Sequence, residues 1–341
     1  MIGGEHFLAA PKPVEDSLGE LLERELGCIA FFATGRDALA TLLASLPETS
    51  VRLPDLMCAS VHAACRAAGK SLEFYPVGTD FLHTPGVDMD WEGPGITFVM
   101  HYFGIRNDAL MRRAKAAGHT VVSDVSHLLF DCKGLGEVAC HSDFLIASLR
   151  KSGPFPDGGF ISSLTRRPVE PGRGLREEFF ASRAAGLLSR GFSAACGFVD
   201  DENFYLLKGA EESLDGSEPG DFGCSQLSRQ LTRSIPVAST AAAIRRNIEV
   251  LDALHTRCIV PLDDTLITPY VPCLFDSRET RDKVRSALAA RHCFFPVHWP
   301  AAGLPVESPL STLSLSIPCD ARYDEHAMRF VVEIIESCLP R

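Results

Sequence analysis

The chain has 341 residues, of which 46% are hydrophobic and 23% are charged, and its formal net charge is −11 at pH 7. A chain of this size usually folds into more than one compact unit, and its acidic balance disfavours binding to nucleic acid or to an anionic membrane surface. No apolar run approaches the ~20 residues that cross a bilayer, and the first residues lack the basic start of a signal peptide. We therefore expect a cytoplasmic protein.

The first half of the chain alternates short apolar segments with helical patterns. Strands are predicted at 29–33, 51–54, 72–77, 95–100, 120–124, 144–148 and 159–163. Helices are predicted at 38–44, 61–68 and 108–117, where apolar residues recur every three or four positions. Strands that alternate with helices indicate crossover units, so we predict an α/β fold with a largely parallel central sheet.

The second half has a different pattern. A charged loop with two prolines is predicted at 166–176, followed by a helix at 175–194 and an exposed loop at 209–224 that is rich in Gly, Ser, Asp and Glu. A long helix at 237–255 then leads to strands at 268–271 and 313–317 and helices at 279–291 and 324–338. We predict a large α/β domain over residues 1–235 and a smaller α+β domain over residues 236–341.

The twelve cysteines are widely spaced, and the closest pairs are Cys58 with Cys65 and Cys132 with Cys140. Zinc sites commonly use a C-x-x-C spacing, which the chain lacks. We expect no metal site, and reduced thiols that are mostly buried as small apolar side chains.

Three segments at predicted strand ends or helix starts carry residues that could bind a ligand or take part in catalysis. Ligands of open α/β sheets bind at such ends. The first is Thr34-Gly35-Arg36-Asp37, which opens a helix. Free N–H groups and the helix dipole attract a phosphate there, although Thr and Asp are also ordinary helix caps.

The second segment ends an apolar strand with Asp124 and places His127 three residues later. The carboxylate of Asp124 could pair with a protonated ring nitrogen of a ligand. The alternatives are a turn-forming acid and a structural histidine.

The third segment is Ser148-Leu149-Arg150-Lys151, which Gly158-Gly159 follows after a proline-rich turn. A lysine that forms a Schiff base must be partly desolvated or lie near other cations, and Arg150 is such a neighbour. The alternative is a solvated basic pair.

Taken in chain order, these segments resemble the fold-type I pyridoxal-phosphate (PLP) enzymes, specifically the DegT/DnrJ/EryC1/StrS group of sugar aminotransferases. The matching stretches are Thr34 to Leu39, Leu53-Pro54 with Cys58 and Ser60, His101-Tyr102-Phe103-Gly104, Asp124 with His127, Ser148 to Gly159, Val297-His298-Trp299-Pro300 and Leu313-Ser314-Leu315. The resemblance covers most of the chain and implies a fold-type I PLP-dependent transferase. Its members are dimers with sites at the subunit interface.

The resemblance also implies residue roles. Lys151 would form the Schiff base and shuttle the proton, Asp124 would keep the pyridine nitrogen protonated, and His127 would bond near the phenolic oxygen. The expected cofactor-binding residues also include Thr34, Gly35, Arg36 and Ser148, together with Ser228 or Ser225 from the partner subunit. The expected substrate-binding residues are His101, Tyr102, Arg150, His298 and Trp299.

The chain departs from the group where many relatives place an aromatic residue to stack on the cofactor ring, because Leu56 and Met57 stand there. Tyr102 or His101 could replace that residue. We expect transamination between an amino acid donor and a keto acceptor, such as a nucleotide-linked keto sugar. The alternatives are another PLP reaction (elimination, dehydration, decarboxylation or condensation) and a non-catalytic PLP-binding protein.

The predicted loop at 166–176 contains the four arginines Arg166, Arg167, Arg173 and Arg176. We expect them to be solvated, with contact to an anionic substrate as the alternative.

Overall fold

The computed structural model describes residues 2–3, 12–83, 91, 93–197, 202–254, 257–260, 266–300, 306 and 308–339. The strands are β1 Ile2–Gly3, β2 Cys28–Phe32, β3 Ser50–Pro54, β4 Ser71–Tyr75, β5 Ile96–Met100, β6 Thr120–Asp124, β7 Phe144–Ser148, β8 Gly159–Ser163, β9 Tyr270–Leu274, β10 Cys293–Phe294 and β11 Ser314–Pro318. The helices are α1 Leu18–Leu26, α2 Gly35–Ser45, α3 Ala59–Ala67, α4 Asp108–Ala116, α5 Cys132–His141, α6 Glu177–Cys196, α7 Glu202–Asp215, α8 Gln226–Thr232, α9 Val237–Leu251, α10 Arg278–Ala289, α11 Leu310–Leu313 and α12 Glu325–Cys338.

A seven-stranded sheet forms the centre of the molecule, in the order β2-β8-β7-β6-β5-β3-β4. The strands from β7 through β4 pair in parallel, whereas β8 pairs antiparallel with both β7 and β2. Every residue of β5 and β6 is buried, as expected where helices cover both faces of a sheet. The predicted α/β class with a mostly parallel sheet is therefore confirmed.

The carboxyl ends of the parallel strands lie along one edge of this sheet. Asp124 ends β6 and Ser148 ends β7, and these strands are neighbours. Helix α2 begins near the same edge, since an ideal Cβ on Gly35 would lie 3.3 Å from Ala147 O and Ser148 Cβ. The topology thus gathers the three segments that the sequence analysis selected.

The C-terminal part contains the antiparallel pair β9–β11 with α10 and α12. Helix α9 joins it through Asn247, whose buried side-chain amide donates to the carbonyls of Cys319, Asp320 and Tyr323 at 3.0–3.1 Å. One continuous hydrophobic core includes residues from the seven-stranded sheet and from this part. The division into domains at residue 235 stays a prediction.

The predicted exposed loop at 209–224 is wrong over its first residues, because α7 continues to Asp215. Leu207, Ala210 and Leu214 lie on one face of α7 and are buried, and the last two pack with Phe179. Burial of this stripe outweighs the Gly, Ser and acidic composition on which the loop prediction depended.

The prediction that all four arginines of the 166–176 loop are solvated is wrong for Arg176. Arg166, Arg167 and Arg173 are exposed, but the Arg176 side chain is 8% exposed and pairs with the fully buried carboxylate of Asp37. A buried carboxylate requires such a cation, so Arg176 anchors the loop to α2.

All twelve cysteines are free thiols, and seven of them are buried. Within the described ranges, we find no cluster of three or more His, Cys, Asp and Glu side chains that could hold a metal ion. Over the same ranges, every helix is too short or too polar to cross a bilayer.

Candidate active site

Asp124 and Lys151 line the same cavity, which has a volume of about 170 Å³. The cavity lies between the ends of β6 and β7 and the start of α2. Its other lining residues are Gly35, Arg36, Cys58, Ser60, Val61, Ser126, Ile146, Ala147, Ser148, Arg150, Glu211, Leu214 and Trp299. The location agrees with the general rule that ligands of α/β sheets bind at strand carboxyl ends.

Asp124 is held by a tight turn at the end of β6. Its Oδ1 accepts a hydrogen bond from the Ser126 backbone N–H at 2.9 Å, and Ser126 Oγ accepts from the Ser148 N–H at 2.9 Å. This chain of bonds fixes the end of β6 against the end of β7. Asp124 is 7% exposed, so its carboxylate meets the cavity in a largely desolvated position.

Lys151 ends a single 3₁₀ turn, Leu149–Lys151, directly after β7. The side chain is half-buried, and Nζ lies 5.6 Å from the ring centroid of Trp299. A cation over an indole face is a favourable contact. The sequence alternative of a solvated Arg-Lys pair does not describe this lysine.

The start of α2 presents backbone donors to the cavity. Gly35 and Arg36 line it, and the first N–H groups of a helix have no intrahelical partner. Arg36 uses Nη1 and Nη2 for Leu214 O (2.8 Å) and Asp215 Oδ1 (2.6 Å), while its buried Nε has no hydrogen-bond partner in the described ranges. The arrangement suits an anion such as a phosphate.

Thr34, in contrast, acts as the helix cap. Its hydroxyl accepts from the Asp37 N–H at 3.1 Å and donates to Asp37 Oδ2 at 2.8 Å. Thr34 is buried and is not among the residues that line the cavity. Its role as a cofactor ligand stays a prediction, and the geometry favours the capping alternative that the sequence left open.

His127 is fully buried beside the cavity and has a defined tautomer. Its Nδ1 accepts from the Phe103 N–H at 3.0 Å, which leaves the ring proton on Nε2. Burial, followed by the charges of Lys151 and His298, holds the pKa of His127 well below its usual range. Nε2 has no partner in the part of the chain that the structure describes, so a neutral, unused donor is available.

The aromatic residue that lines the cavity is Trp299. Its ring lies parallel to that of His127, with centroids 6.4 Å apart and an interplanar angle of 3°. Leu56 and Met57 are both buried at 1% exposure. Trp299 lines the cavity, whereas Leu56 and Met57 do not.

The predicted substrate residues His101 and Tyr102 are buried and are not among the residues that line this cavity. His101 Nδ1 accepts from the Asn107 N–H at 3.4 Å, and the Tyr102 hydroxyl donates to Leu56 O. Both side chains support the backbone around the site. Tyr102 also packs edge-to-face on Trp299 at 5.6 Å, which holds that indole in place.

His298 is the neighbour of Trp299 and belongs to the same aromatic group. Its Nδ1 lies 2.9 Å from Ser316 Oγ, and its ring meets Tyr270 edge-on at 5.0 Å. Burial and the nearby Lys151 ammonium lower the pKa of His298 to about 3. A neutral imidazole thus lies close to the lysine.

Ser225 and Ser228, the expected partner-subunit residues, bind within their own chain. Both hydroxyls donate to Asp157 Oδ1, Ser225 at 2.7 Å, and the Ser225 N–H donates to Oδ2 at 2.8 Å. All three residues are buried. The contacts fix the turn before Gly158-Gly159, and a direct cofactor contact of Ser228 stays a prediction.

A second cavity of about 450 Å³ shares Ser148, Arg150, Lys151 and Glu211 with the first. Its remaining lining residues are Arg183, Tyr270, Phe294, Phe295, Pro296 and Pro318. The expected substrate residue Arg150 lies here, with Nη1 bonded to Glu211. Sequence reasoning missed Arg183 and Glu211, because nothing in their local sequence distinguishes them from surface charges.

The lining of the first cavity fits a phosphate-bearing pyridine aldehyde. The start of α2 suits a phosphate, together with Arg36 Nε, which has no partner among the described residues. The Asp124 carboxylate suits a protonated ring nitrogen, and the Lys151 amine suits the aldehyde. These groups come from three separate segments and converge on one space.

No protein-family model matches the chain, and no curated protein sequence matches it. Solved structures do match. PseC from Helicobacter pylori, an aminotransferase of pseudoaminic acid biosynthesis, aligns over 98% of both chains with a TM-score of 0.66 and 12% identity. Spr1654 from Streptococcus pneumoniae, assigned as a sugar aminotransferase and solved in its PMP form, aligns over 98% of this chain and 92% of its own, with a TM-score of 0.62 and 14% identity.

Serine palmitoyltransferase from Sphingomonas wittichii aligns over 95% of this chain and 77% of its own, with a TM-score of 0.60 and 11% identity. Similarity at these identities establishes the architecture that the chains share. The chain has the fold of fold-type I PLP enzymes, and the predicted fold class is confirmed.

Proposed function

We propose that the protein is a PLP-dependent aminotransferase that moves an amino group from an amino acid donor to a keto acceptor. The cofactor is carried as a Schiff base on Lys151. The observation that carries the proposal is the convergence of Lys151, Asp124 and the start of α2 on one cavity. The similarity in fold to PseC and to Spr1654 supports the same reaction class.

The residues at and next to the cavity then have roles that their surroundings allow. The N–H groups of Gly35 and Arg36, with the Ser148 hydroxyl, hold the phosphate. The carboxylate of Asp124, fixed by Ser126, keeps the pyridine nitrogen protonated. The Nε2–H of His127 is the donor for the phenolic oxygen.

When bound, the cofactor supplies an electron sink for the bond that breaks at the substrate carbon. Lys151 Nζ, which lines the cavity, would accept and hold the proton from that carbon. The half-buried position of Lys151 beside neutral histidines and Trp299 limits access of water to this amine. Trp299 closes one wall and restricts where the cofactor ring can lie.

We also propose that the protein is a homodimer that works in the cytoplasm. We further propose that one of its acceptors is a keto sugar. Phe192, Phe204 and Tyr205 on α6 and α7 are 60–68% exposed, and large exposed apolar groups are typical of contact surfaces. Twelve free thiols suit a reducing compartment. Light scattering during size-exclusion chromatography measures the oligomeric state directly.

Absorbance of the purified protein with added PLP tests the proposal. Wild-type protein should show a visible band, and Lys151→Ala should lose it while keeping its fold by circular dichroism. Lys133→Ala is the matched control, because the Lys133 side chain is 85% exposed on α5. A wild-type protein without the band after PLP addition contradicts the proposal.

A single-turnover experiment identifies the reaction type. An amino donor alone should convert the visible band to the shorter-wavelength band of the aminated cofactor, and a keto acid should restore it. Persistence of the visible band while product forms would instead indicate elimination, decarboxylation or condensation.

A further inference from the structure

Two buried cysteines lie side by side in the C-terminal part of the fold. The sulfur atoms of Cys258 and Cys273 are 3.7 Å apart, and the two residues are 6% and 0% exposed. Both are free thiols. The sulfurs would have to approach by only roughly 1.7 Å to reach the length of a disulfide bond, about 2.05 Å, and small side-chain rotations can supply that movement.

The main chain holds the two thiols next to each other. Cys273 lies inside β9, which pairs with β11 on one side. On the other side, two backbone hydrogen bonds join β9 to the segment that carries Cys258: the Val260 N–H donates to Pro272 O at 3.1 Å, and the Leu274 N–H donates to Cys258 O at 2.7 Å. The closeness of the two sulfurs is therefore fixed by strand pairing and does not depend on side-chain rotamers alone.

The two thiols differ in reactivity. The hydrogen bond between the sulfurs lowers the pKa of Cys258, whereas the same bond and burial raise the pKa of Cys273. The thiolate is the form of cysteine that attacks an oxidant or a disulfide. Cys258 is also the member of the pair with some exposed surface. An oxidant should therefore react first with Cys258, and Cys273 is placed to complete the reaction.

We propose that Cys258 and Cys273 form a reversible disulfide when the protein meets a peroxide or a small disulfide such as oxidised glutathione. With hydrogen peroxide, the Cys258 thiolate attacks one oxygen, the O–O bond breaks, and the departing hydroxide takes up a proton, which leaves a sulfenic acid on Cys258. The Cys273 sulfur then forms the S–S bond and displaces the second water. Two thiols are oxidised and one peroxide is reduced; oxidised glutathione instead releases two molecules of glutathione.

Strand β9 connects this modification site to the second cavity. Tyr270, the first residue of β9, lines the 450 Å³ cavity, and Cys273 lies three residues further along the same strand. A disulfide at Cys273 thus restrains a strand that forms part of the cavity wall. The disulfide itself requires neither cofactor nor substrate, so the proposal can fail or succeed independently of the proposed function.

Mass spectrometry of the oxidised full-length protein tests the pair. Both cysteines lie in one tryptic peptide, residues 258–278, because Arg257 and Arg278 are consecutive cleavage sites. The folded protein is treated with hydrogen peroxide or oxidised glutathione, and its free thiols are then blocked with N-ethylmaleimide in denaturant. The peptide should carry no maleimide and be lighter by two hydrogens, and reduction before blocking should restore two maleimide groups. A peptide that still carries two maleimide groups after oxidation of the exposed Cys28 and Cys140 overturns the proposal.

Two serine variants test the order of the steps. Cys273→Ser should trap Cys258 as a sulfenic acid or as a mixed disulfide with glutathione, whereas Cys258→Ser should leave Cys273 reduced and able to take one maleimide group. Cys338→Ser is the matched control, because Cys338 is a buried thiol of similar exposure (7%) on α12, and it should form the crosslink as wild type does. Loss of the crosslink in Cys338→Ser would contradict the assigned pairing. The wild-type measurement stands without these variants if one of them folds poorly.

Discussion

Gly159 sets the distance between β8 and the start of α2. An ideal Cβ on this residue would lie 2.4 Å from Gly35 N and from Thr34 C, which is far inside van der Waals contact. The backbone of the proposed phosphate site can therefore approach the sheet only because position 159 has no side chain. The Gly158-Gly159 pair is visible in the sequence, but the backbone that it contacts is set by the fold.

We expect Gly159→Ala to lower the free energy of unfolding by about 3 kcal/mol, the upper range for overpacking, since the clash is with backbone that cannot rotate away. The displaced start of α2 should also weaken PLP binding. Gly209→Ala is the control: its Cβ would meet nothing within 4 Å in α7, so alanine should stabilise by up to about 1 kcal/mol. Urea unfolding followed by circular dichroism measures both, and equal stabilities would contradict the argument.

His101 makes stability depend on pH. Burial, followed by the charge of Arg106, lowers the pKa of His101 to about 3 in the folded protein, whereas an unfolded histidine has a pKa of about 6.5. Between these values the unfolded chain binds a proton that the folded protein does not, so stability is complete above about pH 6.5 and falls as the pH decreases.

His101→Asn keeps an acceptor for the Asn107 N–H and removes the titrating ring. The loss of unfolding free energy between about pH 6 and about pH 5 should become smaller by about 1 kcal/mol. His326→Asn, at an exposed position on α12, controls for replacing an imidazole as such. An unchanged pH dependence in His101→Asn would show that His101 titrates in the folded protein as well.

At the scale of elements, the ion pair between Arg176 and Asp37 joins α2 to the loop before α6. Arg176 Nη2 and Nε bind Asp37 Oδ1 and Oδ2 at 2.6 and 2.9 Å, and Arg176 also reaches Ser217 Oγ and Glu218 O. The Gly220 N–H donates to the same carboxylate at 3.0 Å. Residues 217–220 and the loop are thus tied to the first turn of the helix that opens the site.

Arg176→Ala should lower the free energy of unfolding by about 3–5 kcal/mol, because it leaves the fully buried carboxylate of Asp37 without its cation. Arg173→Ala removes an exposed arginine from the same loop and should change stability by less than about 0.5 kcal/mol. Denaturant unfolding of the two variants compares them directly. Similar small losses would show that the pair contributes little.

The strands of the central sheet were predictable because buried parallel strands are short apolar runs bounded by turn residues. The antiparallel direction of β8 could also have been predicted, from the length of the connection that precedes it. Only residues 149–158 separate β7 from β8, and a parallel crossover needs a dozen residues or more. Helix α7 was not predicted, since its stabilising contacts with Phe179 of α6 depend on tertiary packing.

The site was predictable as far as it lies on local segments. Lys151, Asp124 and the start of α2 carry signals in their own neighbourhoods, namely strand ends and a capped helix. No local sequence signal marks Arg183 and Glu211, because they join the site only when α6 and α7 bring them to Arg150. Charge partners distant in sequence are set by the fold, and a single sequence does not reveal them.

At the scale of the whole molecule, the C-terminal part completes a site that the first half of the chain begins. Trp299 reaches the cavity from the segment between β10 and β11, and it contacts Tyr102 and Lys151 in the turns that follow β5 and β7. Cofactor binding and the packing of the C-terminal part onto the sheet should therefore depend on each other, and the indole is placed to report on both.

The chain has two tryptophans, Trp91 and Trp299, which makes this dependence measurable. Trp91 packs against Arg52, Arg113 and His119. Because the chain has only these two tryptophans, the tryptophan emission of Trp91→Phe comes from Trp299 alone. Added PLP should strongly quench that emission, because the cofactor absorbs where tryptophan emits and would lie against the ring. Trp299→Phe should lose most of the quenching. Lys151→Ala should reduce the quenching, because a smaller fraction of the protein then binds the cofactor. Equal quenching in Trp299→Phe and wild type would show that the cofactor binds away from Trp299. That result would contradict the proposed site.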